Sequence, residues 1–199
     1  MTKQEWQDCL EWISSQHPAP GYLILSGSLP KGVNDDFYAK AARRAHKLGT
    51  RVILDTTGDP LSLALETGVF LIKPNLGELK RLFDSDIEEE SAWHAFAEER
   101  IRQGQSRVVV VSLGAGGAVV FQKEGYQHLR APAVSVKSRV GAGDSMVGGM
   151  ILALARGWPV LEAARFGVAA GAAAVMTPGT ELCRREDTEA LYERTRSDG

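Results

Sequence analysis

Three short segments carry residue types suited to phosphate chemistry. SRVGAGDSMVGGM (138–150) sets Gly141, Ala142 and Gly143 directly before Asp144, which opens an apolar run. Small residues leave backbone N–H groups bare at a helix N-terminus, where the dipole is positive, and such a terminus suits phosphate oxygens. The Asp144 carboxylate could take the proton from a hydroxyl attacking that phosphate. Aspartate is equally a good helix N-cap, and the residue types alone do not choose between base and cap. KPNLGEL (73–79) places Asn75 and Glu78 one helical turn apart behind an apolar run. An amide and a carboxylate at that spacing can hold a hydrated Mg²⁺, which takes few protein oxygens and keeps water and phosphate. A first-turn acid is just as well explained by the helix dipole. The third segment, SLGAGG (112–117), is a small-residue turn after a strand. The chain has no GxxxxGK[ST], no GxGxxG and no HRD or DFG set, so phosphoryl transfer here would use none of those machineries.

The elements that must position these segments alternate. Helical spacing predicts helices over 3–16, 34–49 (with Asn34 as a cap), 59–68, 75–83 and 91–103. Apolar runs predict strands at 22–27, 51–55, 69–73 and 107–114. Near-continuous Val, Ile and Leu in strands separated by helices implies a mainly parallel sheet covered on both faces. Residues 117–136 read as a hairpin through Glu124-Gly125, followed by helices over 144–156, 160–176 and 186–196. There is no repeat or linker, so residues 1–199 read as one α/β domain. Ligands bind beyond the carboxyl ends of such strands. That edge would collect 26–28, 55–58, 73–75 and 112–117, with the 141–144 loop arriving there too.

Composition narrows the classes. The 199 residues are 44% hydrophobic and 24% charged with net charge −2, which gives no basic face for nucleic acid. The apolar stretches near 145–155 and 166–176 are too short to span a bilayer, and no apolar leader opens the chain. Cys9 and Cys183 lack metal-type spacing and fit a reduced, cytoplasmic protein. Trp6, Trp12, Trp93 and Trp158 read as packing residues, and His17, His46, His94 and His128 as surface. The Gly and Ala of 166–175 read as close helix packing, and the acidic stretch 84–100 as a solvated loop and helix face.

SGSLPKGV, KPNLGEL, VVVSLGAGGA and VGAGDSMVGGM, in this order, resemble the PfkB (ribokinase-like) family of sugar kinases. RFGVAAGAAAVMTPGTELCRREDT (165–188) further resembles the branch of that family acting on fructose 6-phosphate. The resemblance implies ATP-dependent transfer to a sugar phosphate, yielding fructose 1,6-bisphosphate in glycolysis. Asp144 would be the base, and Gly141, Ala142 and Gly143 the anion hole. Lys73, Asn75, Ser112, Gly114, Ala115, Gly116 and Gly117 would line the ATP site, with Val168 and Ala172 flanking adenine. Asn75 and Glu78 would handle Mg²⁺, and Ser28 would meet the sugar phosphate. A K⁺ loop would comprise Ser138, Val140, Ala174, Thr177, Gly179 and Glu181. Thr177 and Glu181 depart from that branch's pattern, which has Asn and Arg there. The family's N-terminal sugar-binding part and β-lid, through which its members often dimerise, have no counterpart in these residues. The expectation is therefore an N-terminally truncated ribokinase-like domain from a homodimeric parent. Two readings stay open beside it: a nucleotide-binding fragment without turnover, and a kinase for tagatose 6-phosphate or fructose 1-phosphate.

Overall fold

The computed structural model describes residues 1–83 and 90–197. Six strands hydrogen-bond in chain order: β1 (Tyr22–Ser26), β2 (Arg51–Asp55), β3 (Val69–Ile72), β4 (Ser106–Ser112), β5 (Ala118–Gln122) and β6 (Gly125–Leu129). β1 to β4 are parallel, with Ser26 opposite Asp55, Leu54 opposite Ile72, and Ile72 opposite Val109. Successive residues of a strand point to opposite faces, and Val52, Ile53 and Leu54 are all at 0% exposure. β2 is therefore covered on both faces, as its unbroken apolar run requires.

The helices are α1 (Lys3–Ser14), α2 (Phe37–Lys47), α3 (Gly58–Leu65), α4 (Leu76–Phe83), α5 (Glu90–Arg102), α6 (Ala142–Ala155), α7 (Val160–Val175) and α8 (Arg185–Ser197). α1 starts with a capping box: the Thr2 hydroxyl accepts from the Glu5 N–H, and the Glu5 carboxylate accepts from the Thr2 N–H. Internal contacts divide the chain into two compact units. The first is Met1–Val109 with Phe121–Gly125, and the second is Val110–Val120 with Tyr126–Gly199.

Several expectations shift. Asp36, not Asn34, stands at the N-cap position of α2 but makes no side-chain cap bond, its carboxylate pairing with Lys40, while the Asn34 backbone carbonyl accepts from the Phe37 N–H. The hairpin ends at Leu129 and turns through Lys123 and Glu124, with Gly125 opening β6 at φ +132°. α6 begins at Ala142, two residues before Asp144. Of the acidic stretch, 84–89 lies outside the described residues, whereas α5 buries Trp93, Phe96 and Ala97. Trp6 and Trp93 are buried as expected, but Trp12 is 63% exposed. His94 departs from a surface placement: its ring lies 4.3 Å from that of Trp93 and 4.9 Å from that of Phe121.

In the second unit, glycines let two helices touch. A Cβ at Gly167 would stand 2.7 Å from the Met146 carbonyl oxygen, and one at Gly149 the same distance from the Ala170 Cβ. A Cβ at Gly171 would reach within 3.1 Å of the Ala142 carbonyl. The Gly and Ala of α7 thus serve close packing, and the seam fixes the N-terminal turn of α6. Trp158, Phe166 and Tyr192 hold α8 on α7 with ring centroids 5.3–5.6 Å apart, and the Tyr192 hydroxyl donates to Glu162 at 2.7 Å. Burial and the neighbouring Glu162 push the Tyr192 phenol up to about 12, so it remains a donor well above neutral pH.

Candidate active site

In the first unit the strand register brings the carboxyl ends of β1, β2 and β3 to one edge. Three turns emerge there. Gly27, after β1, holds φ +85° and delivers the exposed Ser28. This turn is fastened on both sides. The Gly27 N–H donates to the Asp55 carbonyl at 3.0 Å and the Gly27 carbonyl accepts from Thr56 Oγ1 at 2.8 Å, while the single Tyr38 O–H is shared between the Ser26 carbonyl at 3.0 Å and the Gly27 carbonyl at 3.1 Å. Burial pushes the Tyr38 phenol above its ordinary range, which keeps the donor protonated.

Lys73 follows β3 and is 4% exposed. Its Nζ lies 3.1 Å from Asp55 Oδ1, and Asp55 is itself only 12% exposed. Asp55 carries no role in the sequence reading, although its place at a strand end was legible. A buried pair gives little net stability, but removing one partner leaves a charge without compensation. Asp55→Asn is therefore expected to destabilise the protein by about 3–5 kcal/mol. The double change Asp55→Asn with Lys73→Met should recover most of that loss. Urea unfolding of the two variants checks it, and a single variant as stable as the parent would contradict it.

Asn75 and Glu78 form a reciprocal cap at the start of α4. The Asn75 N–H donates to Glu78 Oε2 at 2.8 Å, and the Glu78 N–H donates to Asn75 Oδ1 at 2.9 Å. The amide and the carboxylate are thus brought together by helix-start chemistry. Glu78 Oε1 has no hydrogen-bond partner among the described residues, so the pair keeps an anionic oxygen for a hydrated cation beside the cap. Among the described residues no group of three or more His, Cys, Asp and Glu is placed to hold a metal by itself. The donor set therefore fits Mg²⁺ bound largely through water and phosphate oxygens.

In the second unit, Ser112 ends β4 and Gly114–Gly116 form a 3₁₀ turn whose three residues are exposed. Gly117 follows at φ +90°, ψ −126°. α6 opens from Gly141, which is left-handed at φ +77° and is the N-cap. Ser145 is the first residue of α6 whose N–H finds a helical partner, the Gly141 carbonyl at 2.8 Å. The N–H groups of Ala142, Gly143 and Asp144 precede that ladder and have no helical acceptor. Asp144 is the third residue of the helix, not its cap; it is exposed and makes no hydrogen bond or ion pair among the described residues. The open choice between base and cap is thereby narrowed: Asp144 has no capping duty. A cavity of about 370 Å³ opens beside it, walled chiefly by Gly148, Leu152, Phe166, Ala170 and Leu182. Val168 and Ala172 lie one turn apart on α7 and are buried.

The residues expected to form a cation loop also converge. Ser138 Oγ donates to the Gly179 carbonyl at 2.6 Å and accepts from the Val140 N–H at 3.2 Å. The Thr177 hydroxyl, 3% exposed, lies 2.7 Å from the Ala174 carbonyl and 2.6 Å from the Glu181 carbonyl. Glu181 contributes its main chain to this loop, while its carboxylate pairs with Arg184 at 3.2 Å. Three carbonyls and two hydroxyls, drawn from the end of α7, the turn after it and the segment before α6, are a donor set suited to a hard monovalent cation.

Comparison with known proteins agrees with this architecture. Residues 7–187 match the family described as pfkB family carbohydrate kinase. The chain is 37% identical over 193 residues to ATP-dependent 6-phosphofructokinase isozyme 2 of Mycobacterium tuberculosis, covering 97% of this chain and 57% of that protein. It is 42% identical over 171 residues to the enzyme of the same name from Escherichia coli K12, covering 85% of this chain and 55% of that one. The crystal structure of E. coli phosphofructokinase-2 in complex with potassium superposes with a TM-score of 0.92 at 38% identity, over 98% of this chain and 63% of that one. The chain thus spans a little over half the length of the curated relatives it matches, and its sheet and helices are those of the ribokinase-like fold without the remaining part. This chain belongs to the pfkB family of carbohydrate kinases.

Proposed function

We propose that the chain carries the nucleotide-binding half and the proton acceptor of an ATP-dependent kinase that phosphorylates a sugar phosphate. In the whole enzyme the acceptor is fructose 6-phosphate and the product fructose 1,6-bisphosphate, a glycolytic step in the cytoplasm of the cell, catalysed by a homodimer. One observation carries this reading: Asp144, a carboxylate without a partner among the described residues, in the first turn of a helix that opens from Gly141, Ala142 and Gly143. The relatives named above favour fructose 6-phosphate over other acceptors.

On this reading residues 1–199 form a single ribokinase-like domain. The acceptor hydroxyl gives its proton to Asp144 as its oxygen bonds to the γ-phosphorus, and the bond to the β-phosphate oxygen breaks to release ADP. The bare N–H groups before Ser145 take the charge that develops on the transferred phosphoryl oxygens. Lys73, Ser112 and residues 114–117 hold the nucleotide, with Val168 and Ala172 against its base, and Ser28 holds the sugar's own phosphate. Asn75 and Glu78 would orient Mg²⁺, which supplies charge neutralisation between the phosphates. Ser138, Val140, Ala174, Thr177, Gly179 and Glu181 would hold K⁺ through main-chain and hydroxyl oxygens, close in sequence to the anion-binding turn.

Calorimetric titration of the 199-residue protein with MgATP tests the nucleotide half directly. Saturable binding is expected, at the weak end of the range of about 1 µM to 1 mM typical of enzyme substrates. An absence of saturable binding, in a chain shown to be folded by circular dichroism, would overturn the assignment.

A further inference from the structure

The turn at Gly114–Gly116 is closed by three backbone hydrogen bonds, from the Leu113 N–H to the Gly117 carbonyl at 2.8 Å, the Gly116 N–H to the Leu113 carbonyl at 3.1 Å and the Gly117 N–H to the Gly114 carbonyl at 3.1 Å, none of which uses the Gly116 carbonyl. Its residues are exposed and two of the three are glycine, so the peptide joining Gly116 to Gly117 has glycine on both sides. Such a peptide plane can rotate with little steric hindrance. A rotated plane would break the Gly117 N–H bond to the Gly114 carbonyl and so open the turn.

β6 supplies a partner for the Gly116 carbonyl. His128 Nε2 lies 2.9 Å from the Gly116 carbonyl oxygen. A carbonyl only accepts, so the ring nitrogen carries the proton and donates. Immediately after, the Gly117 Cα presses on the backbone beyond β6: a Cβ there would stand 2.0 Å from the Leu129 carbonyl and 2.6 Å from the Ala131 nitrogen. Leu129 is 2% exposed and anchors that end of β6. Beside its own backbone bonds, the turn is thus held at Gly117 by close backbone approach and at the Gly116 carbonyl by one side chain. We propose that His128 is a positioning residue of the nucleotide site: by holding the Gly116 carbonyl it fixes the Gly116–Gly117 peptide and so keeps the turn in its closed form against the nucleotide. The role rests on the reading of residues 114–117 as nucleotide-binding.

Two variants of the full 199-residue chain, His128→Ala and His128→Gln, test it. His128 is exposed, so neither variant disturbs the core, and glutamine can donate an amide N–H to the same carbonyl. Amide hydrogen exchange of residues 114–118 without ligand is expected to accelerate about three- to ten-fold in His128→Ala, as for one neutral hydrogen bond. The MgATP Kd should rise by a similar factor, with Tm unchanged. His128→Gln should restore both toward the parent. Parent-like exchange and affinity in His128→Ala would overturn the proposal, as would equal losses in both variants. A parent chain that binds no nucleotide would overturn the reading of the turn, and the role with it, even if the exchange results show the contact to be real.

Discussion

Asp144→Asn is expected to lower phosphoryl transfer by about 10²–10⁴-fold, the usual loss when a general base is removed. The context is a hybrid chain in which residues 1–199 are joined to the part of E. coli phosphofructokinase-2 that they do not match. Affinity for MgATP should change little, because the amide keeps the shape of the carboxylate. Stability should change little as well, because Asp144 is exposed, partners nothing among the described residues, and leaves capping to Gly141. A loss of stability alongside the loss of rate would point to a structural role. Undiminished kcat would remove Asp144 from the chemistry.

The second large effect belongs to Gly117. It combines a backbone conformation that residues with a Cβ avoid with backbone atoms 2.0–2.9 Å from where that Cβ would stand. Gly117→Ala therefore forces the turn away from β6. Strain of this kind costs about 1–3 kcal/mol, and overpacking against backbone costs a comparable amount. The expected result is a destabilisation of about 2–5 kcal/mol together with loss of MgATP binding. Thermal unfolding and calorimetry measure the two. A variant with parent-like Tm and affinity would mean that the turn and β6 are not locked as the geometry requires.

Much of this was legible in the residues. The strands at 22–27, 51–55 and 69–73 are found within a residue of their predicted bounds, because each is an apolar run closed by Gly, Thr or Pro. Runs such as Val52-Ile53-Leu54 signalled a sheet covered on both faces, and burial agrees. The parts that were not legible share a physical cause: one residue type can do two jobs. Asn75 and Glu78 at a spacing of three suit a cation and a capping box equally, and only the paired hydrogen bonds identify the box. Asp144 suited both cap and base, and only the helix start, two residues earlier, removes the cap. The Asp55–Lys73 pair, the double hold of Tyr38 and Thr56 on Gly27, and the reach of His128 to Gly116 join residues 11–29 positions apart. No local pattern encodes such contacts. His94 read as a surface residue because nothing nearby in sequence announced the ring of Phe121.

The central claim is that these 199 residues hold the nucleotide and the base, while the orientation of the sugar comes from elsewhere in the enzyme. Positioning supplies most of the acceleration in phosphoryl transfer, so half a site should bind without turning over. ADP release measured with MgATP, with and without fructose 6-phosphate, on both the 199-residue protein and the hybrid chain tests this most directly. The account predicts sugar-dependent ADP release from the hybrid and none above background from the 199-residue protein. Sugar-dependent turnover of about 1 s⁻¹ by the 199-residue protein alone, the low end of kinase rates, would contradict it.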